Sequence, residues 1–171
     1  YKKSIHTSAL LQTHQYQGQS YDCGPYSAAI VTNALSGSEM LGADVAQWLD
    51  QPIHWGILPI AQRIRNRATL PWAITRFLRT HHLSACWRVL ASTRQLLNGL
   101  ERNAVSVVLI GEWRPLWAHY LVLVEYNSEA GYGFVDPAQA QAATVYRDEK
   151  TFLRQWSNWG RQMIEVTKTS S

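Results

Sequence analysis

The sequence predicts an α+β fold, with helices first and an antiparallel sheet later, in a single domain spanning residues 1–171. An apolar segment with helical spacing follows Cys23 in the N-terminal half. In the C-terminal half, two apolar β-branched segments are joined by turn-forming residues. The chain has 171 residues, of which 46% are hydrophobic, which is ample for one core, and it shows no internal repeat or linker.

The N-terminal half is predicted to be mainly helical. Pro25 suits the first turn of a helix, because its missing N–H costs no hydrogen bond there. The apolar segment Tyr26–Leu35 then supports a helix over 24–35. The further elements expected in this half are a helix near 41–50, a loop through Pro52–Pro59, and helical stretches near 59–67 and 71–81.

The C-terminal half is predicted to form the sheet. The apolar run Trp117–Tyr126 indicates a strand, Asn127–Gly131 has turn-forming residues, and a second strand, Tyr132–Asp136, stops at Pro137. These segments predict a hairpin. The other elements expected are a strand near 84–90, a helix over 92–102 capped by Ser92 or Thr93, and a strand over 105–110. After the hairpin we expect a strand near 143–147, a helix over 149–157 and a strand over 161–167.

Cys23 is a candidate nucleophile because it lies at the N-terminus of the predicted first helix. The positive end of the helix dipole favours a thiolate over a thiol. Such a nucleophile needs a base, and the base needs an orienting group. Of the six histidines, His119 begins the apolar strand 117–126. Asp136 ends the neighbouring strand, so it can orient His119.

The hairpin places a geometric demand on this pair. Side chains alternate between the two faces of a strand, so His119 and Asp136 meet only if the register puts both on one face. A symmetric five-residue turn between Tyr126 and Tyr132 would put them on opposite faces. We therefore expect a connection of four or six residues, or a β-bulge helped by Gly131 or Gly133.

Four segments together resemble a known enzyme family: Gln17, Asp22-Cys23-Gly24, Ala118-His119-Tyr120 and Val135-Asp136-Pro137. They are similar to the papain-like cysteine peptidases that remove double-glycine leader peptides from bacteriocins and peptide pheromones. The resemblance implies a two-lobed papain-like fold, with a cleft between an N-terminal helical lobe and a C-terminal antiparallel sheet lobe. It also implies hydrolysis of a peptide or small protein after a Gly-Gly-type leader, through an acyl-enzyme intermediate.

The resemblance also assigns catalytic roles to four residues. Cys23 would be the nucleophile, His119 the base, and Asp136 the group that orients His119. The side chain of Gln17 would join the Cys23 backbone N–H in an oxyanion hole. Gln15 and Gln19 are nearby alternatives, and only the family spacing favours Gln17.

Two other functions remain open at this stage. A related amidase or transglutaminase-like acyl transferase would share Cys23 and His119 but use a different acyl acceptor. A catalytically silent module that binds leader peptides would require His119 to be misplaced or the cleft to be occluded.

Composition and motifs narrow the possible partners. The net charge is +4, but the arginines at Arg63, Arg65 and Arg67 lie at mixed helical spacing. They indicate a solvated face rather than a nucleic-acid site. No metal-binding string of Cys and His occurs, so neither a metal nor another cofactor is expected. With two cysteines no disulfide framework is expected, and Cys86 is predicted to be a small buried residue.

The sequence restricts a transporter partner and leaves the compartment open. Many relatives are domains of export transporters, but the chain lacks a Gly-x-x-x-x-Gly-Lys-Ser/Thr nucleotide-binding loop. A transporter partner would therefore be a separate segment or chain. The resemblance favours a bacterial protein that is cytoplasmic or membrane-associated. Because the sequence starts at Tyr1 rather than Met, it allows a removed targeting or anchor segment.

The chain contains eight tryptophans. Trp72, Trp87 and Trp156 fall at amphipathic positions that predict burial in the core. Trp113 and Trp117 precede His119 closely, and the sequence allows them either to line the cleft or to join the core.

Overall fold

The computed structural model describes residues 1–64 and 68–169, and its architecture is α+β. The described helices are α1 (Thr7–Gln12), α2 (Cys23–Ser36), α3 (Gly42–Asp50), α4 (Pro71–Thr80), α5 (Thr93–Glu101) and α6 (Glu149–Asn158). The described strands are β1 (Lys2–Lys3), β2 (Ile53–Trp55), β3 (Leu58–Ile60), β4 (Arg63–Ile64), β5 (Ala68–Thr69), β6 (Leu83–Arg88), β7 (Val105–Trp113), β8 (Leu116–Asn127), β9 (Gly131–Val135), β10 (Val145–Arg147) and β11 (Met163–Lys168).

One antiparallel sheet organises the molecule. Its strand order is β10-β9-β8-β7-β11-β6, and the short β1 pairs with the far end of β8. Two small ribbons, β2 with β3 and β4 with β5, lie outside this sheet. Both ribbons lie in the chain segment between α3 and α4.

The sheet is covered on both faces. On β8, Tyr120 and Val122 belong to a core shared with α1, α2, α3 and α4, whereas Leu121 and Leu123 belong to a core shared with α5 and α6. This split follows from the alternation of side chains along a strand. The central helix α2 is buried along most of its length. Among the helices of the described segments, none is long and apolar enough to cross a membrane.

Most of the predicted elements are confirmed, but the segment between α3 and α4 is not. The predicted loop Pro52–Pro59 contains most of the β2–β3 hairpin, which turns at Gly56 and Ile57, with Gly56 at φ 63°. The predicted helix near 59–67 is wrong over its described part, where β3 and β4 lie instead. Hairpin pairing and the anchoring of Arg63 outweigh the helix-like spacing of apolar residues there. Residues 65–67 lie outside the described residues.

Candidate active site

Cys23 is the first residue of α2, so its side chain lies at the N-terminus of the central helix. The thiol is partly exposed and forms no disulfide. The helix that follows it is buried along most of its length, so packing holds the backbone of Cys23 in place. A helix N-terminus carries partial positive charge and favours an anion near its first turn.

The lack of a side chain at Gly24 allows Thr69 and Ile74 to pack closely against α2 next to Cys23. A Cβ at this position would lie 2.9 Å from the Cβ of Thr69 and 3.1 Å from Cδ1 of Ile74. Thr69 is also held from the sheet side, because the Tyr120 hydroxyl donates a 2.7 Å hydrogen bond to its carbonyl oxygen. The segment before α4 is therefore fixed between α2 and β8, beside Cys23.

His119 and Asp136 reach each other because β8 contains a bulge. Tyr126 pairs with Tyr132 near the turn, whereas Val122 pairs with Val135 beyond the irregularity between Leu123 and Glu125. The register therefore shifts by one residue along the hairpin. One position beyond the Val122–Val135 pair, the shifted register places Asp136 opposite Leu121. Leu121 lies two residues from His119 and therefore points to the same face of the sheet. Without the shift, Asp136 would fall beside Val122, on the opposite face.

Gly133 allows close packing beside the bulge, where it pairs with Glu125. A Cβ at Gly133 would lie 2.8 Å from Cγ of Glu125, the residue that pairs with it, and 2.8 Å from Cγ2 of Thr144. The crowded bulge therefore needs a residue without a side chain. The predicted bulge with a glycine partner is confirmed, and the glycine is Gly133.

His119 contacts the carboxylate of Asp136 directly. Its Nε2 lies 2.6 Å from Oδ1 of Asp136, and Cys23 is near enough to raise the pKa of the imidazole. Because Nε2 is engaged by the carboxylate, Nδ1 is the ring nitrogen left to face the sulfur. Oδ1 of Asp136 also accepts a 2.8 Å hydrogen bond from the backbone N–H of Ala138, which fixes the carboxylate.

The surroundings of His119 favour its protonated, positively charged form. Burial lowers the pKa of His119, but the hydrogen bonds with Asp136 and Cys23 and their negative charges outweigh it and raise the pKa to about 9. Burial raises the pKa of Asp136, yet the hydrogen bond and charge of His119 lower it overall. At neutral pH a protonated His119 therefore lies between the carboxylate and the sulfur.

Gln17 lies where its loop meets the end of the hairpin. Its backbone N–H donates a 2.9 Å hydrogen bond to the carbonyl of Pro137, and its side-chain Nε2 donates a 2.7 Å bond to the carbonyl of Ser20. The second bond fixes the orientation of the amide and leaves one of its two N–H groups for another acceptor. The role of Gln17 in an oxyanion hole stays a prediction.

The two rival glutamines occupy different environments. Gln15 bridges to the start of α3: its Nε2 donates to the carbonyl of Met40, and its Oε1 accepts from the backbone N–H of Gly42. Both ends of this amide therefore serve the fold. Gln19 is exposed to solvent. Gln17 remains the candidate whose backbone is bonded directly next to Asp136.

Several side chains near this site differ from the sequence prediction. Arg63 is not on a solvated face: its side chain is 2% exposed and lies 2.6 Å from Asp22, the neighbour of Cys23. The local sequence gives no sign of this pairing, because the acidic partner is 41 residues away in the chain. Arg65 and Arg67 lie outside the described residues.

The aromatic predictions are confirmed in part. Trp156 is fully buried, whereas Trp87 is 39% exposed, so its predicted burial is wrong. Trp113 is 60% exposed and stacks on Trp159, with ring centroids 5.1 Å apart. Trp117 is partly buried against the core on the α5 and α6 face. Sequence analysis missed Trp159, because its partner Trp113 lies on a distant strand.

The second cysteine is not part of the site. Cys86 lies on the edge strand β6 and is exposed, so the predicted burial is wrong. Leu83 and Ala85 of the same strand are buried, so alternation along the strand places Cys86 on the exposed face. Within residues 1–64 and 68–169, no group of three or more His, Cys, Asp or Glu side chains is placed to hold a metal ion.

Comparisons with known proteins bear on the fold. No protein-family sequence model matches the chain, and no curated protein matches it. The structure is similar to a crystal structure of a C39-like peptidase from Bacillus anthracis, with a TM-score of 0.77 over 100% of both chains. Sequence identity to that protein is 14%. The chain therefore has a C39-like peptidase fold, which confirms the predicted α+β class.

Proposed function

We propose that the protein is a papain-like cysteine peptidase that cleaves a peptide or small protein. One observation carries this proposal: Nε2 of His119 lies 2.6 Å from Oδ1 of Asp136, and Cys23, at the start of α2, interacts electrostatically with the same imidazole. A nucleophile in contact with a base that is held by a third group is the arrangement that covalent acyl transfer requires. The C39-like fold supports the same assignment.

The proposed reaction begins with attack of the Cys23 sulfur on the scissile carbonyl carbon. The C–N bond breaks as His119 gives its proton to the leaving amine, and an acyl-enzyme thioester remains. His119 then accepts a proton from water, which attacks the thioester and releases the acid product and the cysteine. Asp136 keeps His119 in the required orientation through both half-reactions.

The tetrahedral intermediates carry negative charge that needs donors placed in advance. We assign this task to the side-chain amide of Gln17 and the backbone N–H of Cys23. The bond from Gln17 to Ser20 supports the assignment, because it orients the amide before substrate binds. A donor that needs no reorganisation contributes more to the transition state than a mobile one.

The proposed substrate is a precursor with a Gly-Gly-type leader. The resemblance in Gln17, Asp22–Gly24, Ala118–Tyr120 and Val135–Pro137 supports this specificity. An export transporter on a separate segment or chain is the proposed partner, since relatives with this motif set are commonly transporter domains.

Peptide hydrolysis provides the direct test. The protein is incubated with a set of peptides that carry Gly-Gly, Ala-Ala or Leu-Leu at one position, and products are identified by mass spectrometry. Cleavage after Gly-Gly is expected for the wild type and for Cys86→Ala, and no cleavage for Cys23→Ala. Cys86→Ala is the matched control, because it removes the other thiol of the chain.

Other outcomes would assign a different function. Incorporation of an added amine in excess of hydrolysis would favour an acyl transferase. Peptide binding without turnover, together with equal alkylation rates of Cys23 and Cys86, would favour a silent binding module. Cleavage by Cys23→Ala would reject the proposed nucleophile.

A further inference from the structure

Asp22 occupies the N-cap of α2 but does not cap it. An aspartate at this position ordinarily accepts a hydrogen bond from a backbone N–H in the first turn. Here no side-chain cap forms, and the backbone of Asp22 adopts φ −98° and ψ 25°. Its Oδ1 instead lies 2.6 Å from Nη2 of Arg63, which donates a hydrogen bond to it.

Arg63 is well placed to hold this carboxylate. Its side chain is 2% exposed, so the pair is only weakly screened by solvent. Its Nε lies 3.1 Å from Oδ1 of Asp50, the last residue of α3. A buried cation thus joins the residue before the nucleophile to the end of a neighbouring helix.

Because the Asp22 carboxylate binds Arg63, it neither caps the first turn of α2 nor places its charge against the Cys23 sulfur. Pro25 has no N–H, so the N–H of Gly24 is the amide that the Asp22 side chain would cap. Tyr26 already donates to the backbone carbonyl of Asp22 at 2.9 Å. If the Asp22 carboxylate accepted a hydrogen bond from the N–H of Gly24, its negative charge would lie beside the sulfur and would disfavour the thiolate. It would also neutralise part of the positive charge at the helix N-terminus.

We propose that Arg63 is a positioning residue for the nucleophile. By binding the carboxylate of Asp22, it keeps this negative charge away from the first turn of α2. The positive end of the helix dipole is then free to stabilise the thiolate of Cys23. This inference rests on the proposed function only in taking Cys23 as the nucleophile.

Mutation can distinguish the effects of the individual charged groups on the reactivity of the Cys23 thiol. His119 and Tyr120 of β8 interact electrostatically with it, and Asp136 acts through His119. Asp22 precedes it, and Arg63 reaches that region from β4. Changes at Arg63 and Asp22 leave the β8 groups in place, so their effect on the thiol can be measured alone.

The test measures the rate of Cys23 alkylation by iodoacetamide from pH 4 to 9, in a Cys86→Ser background so that one thiol reports. Arg63→Met should shift the half-maximal rate to higher pH and slow alkylation at pH 6 by about threefold to tenfold. Adding Asp22→Ala to Arg63→Met should restore the rate to within about twofold of the background.

The matched control adds Asp50→Ala to Arg63→Met, which removes the other carboxylate bound by Arg63. No restoration is expected from this variant. Equal restoration by Asp50→Ala, or none by Asp22→Ala, would show a merely structural role and overturn the proposal. Should Arg63→Met fail to fold, as judged by circular dichroism, the same pairs are compared in Arg63→Lys, whose single nitrogen cannot bind both carboxylates as the guanidinium does.

Alkylation needs no substrate, so the two proposals can fail separately. A wild-type protein that hydrolyses no peptide would contradict the proposed function, while the alkylation series would still decide the role of Arg63. Conversely, an unchanged pH profile in Arg63→Met would reject the positioning role and leave peptide hydrolysis untouched.

Discussion

Nε2 of His119 lies 2.6 Å from Oδ1 of Asp136, although the turn between their strands would by itself place the two residues on opposite faces of the sheet. The bulge between Leu123 and Glu125 removes this conflict by shifting the register one residue. The contact between the proposed base and its orienting carboxylate therefore depends on a local irregularity of β8, some five residues away from the histidine that it aligns.

Replacing Asp136 should impair catalysis more than binding. Asp136→Ala removes the acceptor of Nε2, so kcat should fall by about 100- to 10,000-fold with KM changed little. Asp136→Asn keeps an oxygen acceptor but removes the charge, so a smaller loss is expected. The pKa of His119 should then fall from about 9, which moves the alkaline limb of the kcat/KM profile to lower pH. Equal activity of Asp136→Ala and wild type would exclude the orienting role.

The His119–Asp136 pair should make stability depend on pH at both ends. The pKa of His119 is raised from 6.5 to about 9, so its contribution is complete below pH 6.5 and is lost as the pH rises through 9. The pKa of Asp136 is lowered from 3.8, so its contribution is present above pH 3.8 and is lost as the pH falls further.

Urea unfolding of wild type and His119→Gln at several pH values checks this expectation. The difference in the free energy of unfolding should be largest near pH 5 to 6 and should shrink toward pH 9.5 and toward pH 3. A difference that stays constant over this range would contradict the pKa directions.

Gln17→Ala should lower kcat by roughly 100- to 1,000-fold while KM changes by less than about threefold, because an oxyanion donor acts on the transition state. Gln19→Ala is the matched control, since the exposed neighbour should leave both constants unchanged. A rise in KM with kcat preserved would assign Gln17 to substrate binding instead. Thermal unfolding of both variants separates these effects from loss of the bond to Ser20.

Gly133→Ala should disturb the bulge. The new Cβ would approach Glu125 and Thr144 to 2.8 Å, and overpacking of this kind costs about 1–3 kcal/mol of stability. Because the bulge sets the register, kcat should also fall at temperatures where the variant is fully folded. Urea unfolding and steady-state kinetics measure the two effects. A destabilised variant with wild-type kcat would show that the register survives the strain.

Part of the site was predictable because its signals are local. The helix beginning at Cys23, the strand that begins near His119 and the turn before Asp136 each follow from short segments of sequence. The need for either a four- or six-residue connection or a bulge also followed, since alternation along a strand is a strict geometric rule. The structure decided that a bulge between Leu123 and Glu125 meets this need.

The errors fall where distant residues decide the conformation. The segment 52–64 forms two ribbons rather than a loop and a helix, because strand pairing and the ion pairs of Arg63 with Asp22 and Asp50 fix it. Cys86 is exposed because it lies on the uncovered face of the edge strand β6, opposite the face that buries Leu83 and Ala85, and strand order cannot be deduced from local pattern.

The sequence by itself determined the α+β class, the placement of Cys23 at a helix N-terminus and the choice of His119 and Asp136, since each depends on residue types within a few positions. Tertiary structure alone decided that Arg63 is buried against Asp22, that Trp159 stacks on Trp113, and that His119 contacts Asp136 and interacts electrostatically with Cys23. Those interactions join residues 17 to 96 positions apart in the chain, and their energies appear only when the packed sheet and helices bring the side chains together.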